Sequence, residues 1–233
     1  VDIIEAVEHR RPVRETPLER LGREFAKFLA GLARLSALSA LLLPILVLSF
    51  MTVDLPIYAF DHFFDMQSLK PSRWLSVGLA FMAMAPLLVI LIARRFGGEE
   101  ASRVVTASWA IAALGAFAGI SYLAPTLVDG DLPGVAYVAG FVGAGVMSQY
   151  AAAALYDLTR GRENWWRAPL YAAISGYILH TLLYFPTVYW ASNAPWANWM
   201  VVALFFEAAL AAAFLGPYRL LRRSLRPRGG YGG

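Results

Sequence analysis

The sequence contains no cysteine. That excludes disulfides, thiolate metal sites and a cysteine nucleophile. Charge is scarce as well: 15% of the 233 residues are Asp, Glu, Lys or Arg, against about 25% in soluble domains. Histidine occurs only at His9, His62 and His180, too dispersed to mark a metal cluster. No HExxH, Walker A, GxSxG or dinucleotide fingerprint is present. These absences point away from an enzyme and imply no cofactor. Residues 1–20 are polar and charged, without an apolar core, which predicts no cleavable signal peptide.

Apolar residues fill the space that charge leaves. They make up 59% of the chain, and the mean hydropathy is +0.55. A membrane-crossing helix needs about 20 mostly apolar residues. Six such stretches occur, at about 31–53, 73–94, 104–127, 133–156, 166–190 and 199–221. None alternates with period two, so a lipid-facing barrel is not expected. Backbone polar groups have no water to bond in lipid, so each stretch is read as a helix. The expected fold is all-α: a polytopic bundle of six transmembrane helices over 31–223. A cytoplasmic tail (1–30) precedes it and a flexible Gly/Arg tail (224–233) follows.

The charges sort by segment. With the N-terminus placed in the cytoplasm, all Lys and Arg residues except Lys70 and Arg73 fall on the cytoplasmic side. Asp54, Asp61, Asp65, Asp129 and Asp131 fall outside. This is the positive-inside pattern. It predicts an integral protein of a bacterial inner membrane with both termini cytoplasmic. The net charge of +4 is thereby an orientation signal, and no nucleic-acid role is expected.

Thr16, Pro17 and Glu19 form a capping-box pattern with proline at the first helical position. Leu18, Leu21, Phe25, Phe28 and Leu32 follow at helical spacing, with Arg20, Arg23, Glu24 and Lys27 largely between them. An amphipathic helix lying at the cytoplasmic interface is expected here. Two readings stand: a lead-in to the first span, or a docking surface for a homodimer or larger membrane complex.

Small residues mark packing faces. Ala136, Gly140, Ala144, Ser148 and Ala152 recur every four residues in the fourth span, and Gly115 and Gly119 form a GxxxG in the third. Such rows let helix backbones approach closely in lipid. Internal packing is favoured over a dimer face.

Ionisable groups inside spans are default functional candidates. His180 lies mid-span in the fifth stretch, with Tyr177, Tyr184 and Thr187 near the same face. Glu207 lies in the sixth stretch at a matching depth. A bare carboxylate in hydrocarbon must be protonated, paired or hydrated, so a His180–Glu207 pair is expected. A neutral, hydrogen-bonded core histidine is the plainer reading. Gln149, Tyr177, His180, Tyr184 and Glu207 are the candidate substrate-binding set: aromatic faces to stack a flat ring, Gln149 and Glu207 to bond its edge, and His180 to couple uptake to protons. His62, in "AFDHFFD", reads either as a metal ligand with Asp61 or Asp65 or as part of an aromatic loop resting on the membrane. The aromatic density favours the loop.

"ARRFGGEEASRVV", "SQYAAAALYDLTRGRENWWRAP", "AAISGYILHTLLYFPTVYW" and "NWMVVALFFEAALAAAFLGPYRLLRRSL" occur in that order. Together they resemble the queuosine-precursor transporter (VUT) family over about 88–225. The resemblance implies six spans, a cytoplasmic N-terminus, a fold similar to the substrate-binding subunits of ECF transporters, and uptake of a flat deazaguanine. Gln149, Thr181 and Phe185 keep the family's pattern, but other positions depart from it. His180 stands where an aspartate is usual, Glu207 where a lysine is usual, and Ile90 and Ala152 where acids are usual. A degenerate transporter scaffold serving as a non-transporting subunit of a membrane complex is the alternative.

Overall fold

The computed structural model describes residues 16–126, 134–161 and 164–227. The described residues form six α-helices: α1 Pro17–Met51, α2 Val77–Phe96, α3 Gly98–Leu123, α4 Val135–Thr159, α5 Arg167–Tyr189 and α6 Trp196–Leu221. All six are long and apolar enough to cross a membrane. This is an all-α integral membrane protein. The tail from Arg228 onward lies outside the described residues, as do His9, Arg10, Arg11, Arg14, Asp129, Asp131 and Arg162.

The start of α1 follows its capping chemistry. The Thr16 hydroxyl accepts from the Glu19 amide at 3.3 Å, and the Glu19 carboxylate accepts from the Thr16 amide at 2.8 Å. Among the described residues the amphipathic segment is a lead-in to the first span. The amphipathic segment and the first span are one 35-residue helix. "AKFLAGLARLSALSALLL" offers no proline before Pro44, so nothing breaks the hydrogen-bond ladder between the two parts.

α2 sits at the centre and touches each of the other five helices. It meets α1 where the Ser49 hydroxyl donates to the Gly78 carbonyl at 2.6 Å. It turns into α3 at Gly97, whose φ of +96° suits glycine. Asp157 of α4 holds that turn by accepting from the Gly98 amide at 3.0 Å.

The α4–α5 contact is the most extensive helix pairing. Gly140, Ala144, Ser148 and Ala152 are buried. A Cβ on Gly140 would come within 2.7 Å of Val188, and one on Gly176 within 2.9 Å of the Ser148 carbonyl. The small-residue row is therefore used inside the bundle, except for Ala136, which is exposed. Gly115 and Gly119 are also exposed, with nothing within 4 Å of an added Cβ. They do not serve internal packing, because α3 is buried only along its first half, through Gly98, Ala101, Val104, Val105 and Ser108.

The end of the bundle that carries the α2–α3 turn and the last turn of α6 is held by Arg94. Its buried guanidinium donates to the Tyr218 hydroxyl at 3.1 Å, the Tyr156 hydroxyl at 3.5 Å and the Arg222 carbonyl at 3.2 Å. It also lies 5.5 Å from the centre of the Tyr218 ring. Helices α2, α4 and α6 are joined through this one side chain.

Candidate functional site

The opposite end of the bundle is covered by the long connection between α1 and α2. Its ends are paired: the Ile57 amide donates to the Leu75 carbonyl at 3.0 Å and the Val77 amide to the Leu55 carbonyl at 2.8 Å. Its middle is fixed by Asp61, which accepts from the Ser72 hydroxyl at 2.6 Å and the Ser72 amide at 2.9 Å. The Ser72 side-chain bond leads the causes that hold the Asp61 carboxyl below the usual carboxylate range. Trp199 of α6 donates to the Ser68 carbonyl at 2.7 Å. Phe60 packs on Phe206 at 5.0 Å. The loop is thus docked on the helices and does not merely rest on lipid. The His62 ring lies against that of Phe63, 3.8 Å between centres and tilted by 39°, and among the described residues no group of metal-binding side chains occurs.

Under this loop lies a cavity of about 320 Å³. Asp54, Ser72, Arg73 and Trp74 line it from the loop side, and Tyr137, Tyr184 and Tyr189 from α4 and α5. It therefore presents an acid, a base and aromatic faces in one space. Tyr184 is its floor and its hub. The ring meets Tyr137 edge-on at 6.4 Å and Tyr189 edge-on at 6.2 Å. One buried donor here, Trp74 Nε1, has no hydrogen-bond partner among the described residues. Unpaired buried donors are expensive, so such groups suit a polar ligand.

One turn deeper is the ionisable cluster. The His180 ring lies parallel to Tyr184, 5.6 Å away with 7° between planes. Its Nδ1 is 3.4 Å from Glu207 Oε1. The Thr181 hydroxyl donates to Glu207 Oε2 at 2.6 Å. Both carboxylate oxygens are engaged, with only 12% of the Glu207 side chain exposed and 7% of His180. An Nδ1–H donated to the carboxylate would leave His180 Nε2 as the free acceptor, and that atom is buried without a partner. Tyr177 sits a turn further in. Its hydroxyl donates to the Ala83 carbonyl at 2.7 Å, and its ring borders an apolar α5–α6 groove of about 340 Å³ with Ile174, Ile178, Val201 and Phe205.

The candidate set is therefore divided. His180, Tyr184 and Glu207 come together. Tyr177 lies beside them with its hydroxyl engaged. Gln149 does not join them: it is fully buried, facing α3, where Trp109 Nε1 donates to its Oε1 at 3.2 Å. The reason is rotational. Ser148 and Ala152 face α5, which turns the neighbouring Gln149 away.

Sequence reasoning missed Asp54, Ser72, Arg73, Trp74, Tyr137 and Tyr189. One signal was available. Arg73 is one of only two bases that break the charge sorting, and it lines the cavity.

No protein-family model, curated protein or solved structure matches the chain.

Proposed function

We propose that this chain is a membrane transport protein that binds a flat, polar heterocycle in the cavity under the α1–α2 loop. One observation carries the reading. An aromatic cavity, bordered by an acid and a base, lies directly over a buried His–Glu pair. Tyr137, Tyr184 and Tyr189 offer ring faces and edges for stacking. Asp54 and Arg73 would read hydrogen-bonding groups on opposite edges of the ligand. The positive-inside pattern supports an orientation with this cavity outside the cell and both termini in the cytoplasm of a bacterial inner membrane, in which the protein would act in uptake. The resemblance to queuosine-precursor transporters supports a deazaguanine as the ring. His180, under the floor, would carry the coupling proton. The protein binds and moves its solute without chemically changing it.

The test is calorimetric binding to the purified protein in nanodiscs. Saturable binding of 7-cyano-7-deazaguanine is expected, competed by guanine-like rings and weakened roughly tenfold in Tyr184→Ala. Absence of binding to every purine, deazapurine and vitamin tried would overturn the proposal.

A second reading has its own observation. Tyr184 lies over His180, which is buried with Glu207, and several polar positions of the resembled family are replaced. A scaffold of this kind would serve as a non-transporting subunit. Co-purification with a fixed set of membrane proteins, together with no ligand binding, would favour it.

A further inference from the structure

The apolar groove between α5 and α6 holds about 340 Å³ and is lined by Ile174, Ile178, Val201, Leu204 and Phe205 beside the Tyr177 ring. Its two walls can be followed along the helices. On α5, Arg167, Tyr171, Ile174 and Ile178 recur at spacings of four, three and four residues, which makes one stripe. On α6, Phe205, Ala208, Ala212, Leu215 and Arg219 do the same. Neither stripe is buried in the bundle: Ile178 is 42% exposed and Phe205 72%. Each wall therefore ends in an arginine.

The two arginines stand together. Arg219 lies 5.7 Å over the ring of Trp165, and Arg167 lies 5.6 Å over the ring of Trp166. Two guanidinium groups thus sit against adjacent indoles where α5 starts and α6 finishes. Contact with an aromatic face orders an arginine without using its N–H donors. Other bases at this end are already neutralised. Arg103 pairs with Glu99 and Glu100, and Arg160 with Asp157. Arg167 and Arg219 have no carboxylate partner among the described residues.

The spacing selects the occupant. From the arginines to the groove is about 10–16 Å along α5 and about 16–21 Å along α6, at 1.5 Å per residue. Half of the hydrocarbon core is about 15 Å. An acyl chain whose headgroup lies at the arginines therefore reaches the groove. A soluble anion would leave the groove unfilled, and a lipid without net charge would leave two positive charges uncompensated. A phospholipid of net negative charge meets both needs, because arginine holds phosphate bidentately and basic sites between spans favour such headgroups.

We infer that the α5–α6 groove and the Arg167–Arg219 pair form one binding site for an anionic phospholipid, with its phosphate on the arginines and an acyl chain between the helices. The inference does not depend on what the cavity under the α1–α2 loop binds.

The full chain, stripped of lipid in detergent, is titrated with phosphatidylglycerol, and bound lipids are counted by native mass spectrometry. A single tightly held lipid is expected, with phosphatidylcholine held more weakly. Arg167→Gln and Arg219→Gln are each expected to weaken binding about fivefold. Arg223→Gln removes the same charge just beyond α6 and is expected to change nothing. Ala208→Phe and Ile178→Trp, on opposite walls, are expected to displace the chain with every arginine kept. Equal weakening in Arg223→Gln would reduce the effect to net charge. Full affinity in both groove-filling variants would remove the acyl chain from the site. Competition by glycerol phosphate at the strength of the lipid would reduce the site to a phosphate site, and equal affinity for phosphatidylcholine would remove the charge selection. Each of these four results would overturn the inference.

Discussion

His180 Nδ1 lies 3.4 Å from Glu207 Oε1, joining α5 to α6 in the middle of the bundle. The second carboxylate oxygen is held by Thr181 at 2.6 Å. Neither polar side chain would be tolerated alone in this setting. Removing one partner of a buried pair typically costs about 3–5 kcal/mol, whereas replacing both by apolar groups can be neutral. His180→Leu alone is therefore expected to destabilise the bundle by about 3 kcal/mol. His180→Leu combined with Glu207→Leu should recover much of that loss. Thermal unfolding of the four proteins of the cycle in one detergent measures the coupling. Strictly additive effects would show that the two side chains do not act as a pair.

The cavity predicts a different pattern for binding than for stability. Tyr184→Ala removes the floor and one stacking face, worth about 1 kcal/mol or more. Roughly tenfold weaker ligand binding follows. Arg73→Gln and Asp54→Asn should each weaken binding with little effect on unfolding, because both side chains are exposed. Gln149→Leu should do the reverse, since its amide faces Trp109 and not the cavity. Calorimetry and thermal unfolding on the same preparations separate the two classes. If Gln149→Leu abolished binding in a folded protein, the assignment of the cavity would be wrong.

Much of this architecture was legible in the sequence because lipid leaves the backbone few options. Six apolar runs had to become six helices, and Glu207 had to find partners at its own depth, which His180 and Thr181 supply. The rest depended on rotation about helix axes and on loop packing. Gln149 is adjacent to Ser148, yet the two face different helices, and a run without strong polar periodicity does not reveal which way it turns. Asp54, Arg73 and Trp74 reach the cavity only because the loop closes through Asp61–Ser72 and Trp199–Ser68, contacts between residues far apart in sequence. The α1 extension was visible as an amphipathic pattern. Its direction followed from the missing helix breaker, not from the pattern.

Arg94 is expected to matter for folding. Its guanidinium satisfies two tyrosine hydroxyls and a carbonyl from α4, α6 and the segment that follows α6. Arg94→Met would leave buried hydroxyls short of a donor and remove the contact with the Tyr218 ring. A loss of about 2–4 kcal/mol is expected. Arg94→Lys should rescue little, since an ammonium lacks the planar fork that serves three acceptors. Unfolding in graded denaturant checks this. Wild-type stability in Arg94→Lys would mean that charge alone suffices.

The docked loop should respond to acid through Asp61. Its folded-state carboxyl is held below the usual carboxylate range, first by the Ser72 hydroxyl. A depressed folded-state pKa adds stability that is fully present above the unfolded pKa of about 3.9. That contribution is lost as pH falls through the lower folded value, when the proton removes an acceptor from Ser72. The loop is therefore expected to stay closed at neutral pH and to open progressively below about pH 4. Asp61→Asn should remove this acid-dependent component, and Ser72→Ala should shift its midpoint toward the ordinary carboxylate pKa. Protease sensitivity of residues 54–76 with pH, read by mass spectrometry, measures it. An acid transition identical in all three proteins would place the responsible group elsewhere. If the cavity binds its ligand under this loop, the affinity lost on acidification should track the same midpoint and move with it in Ser72→Ala.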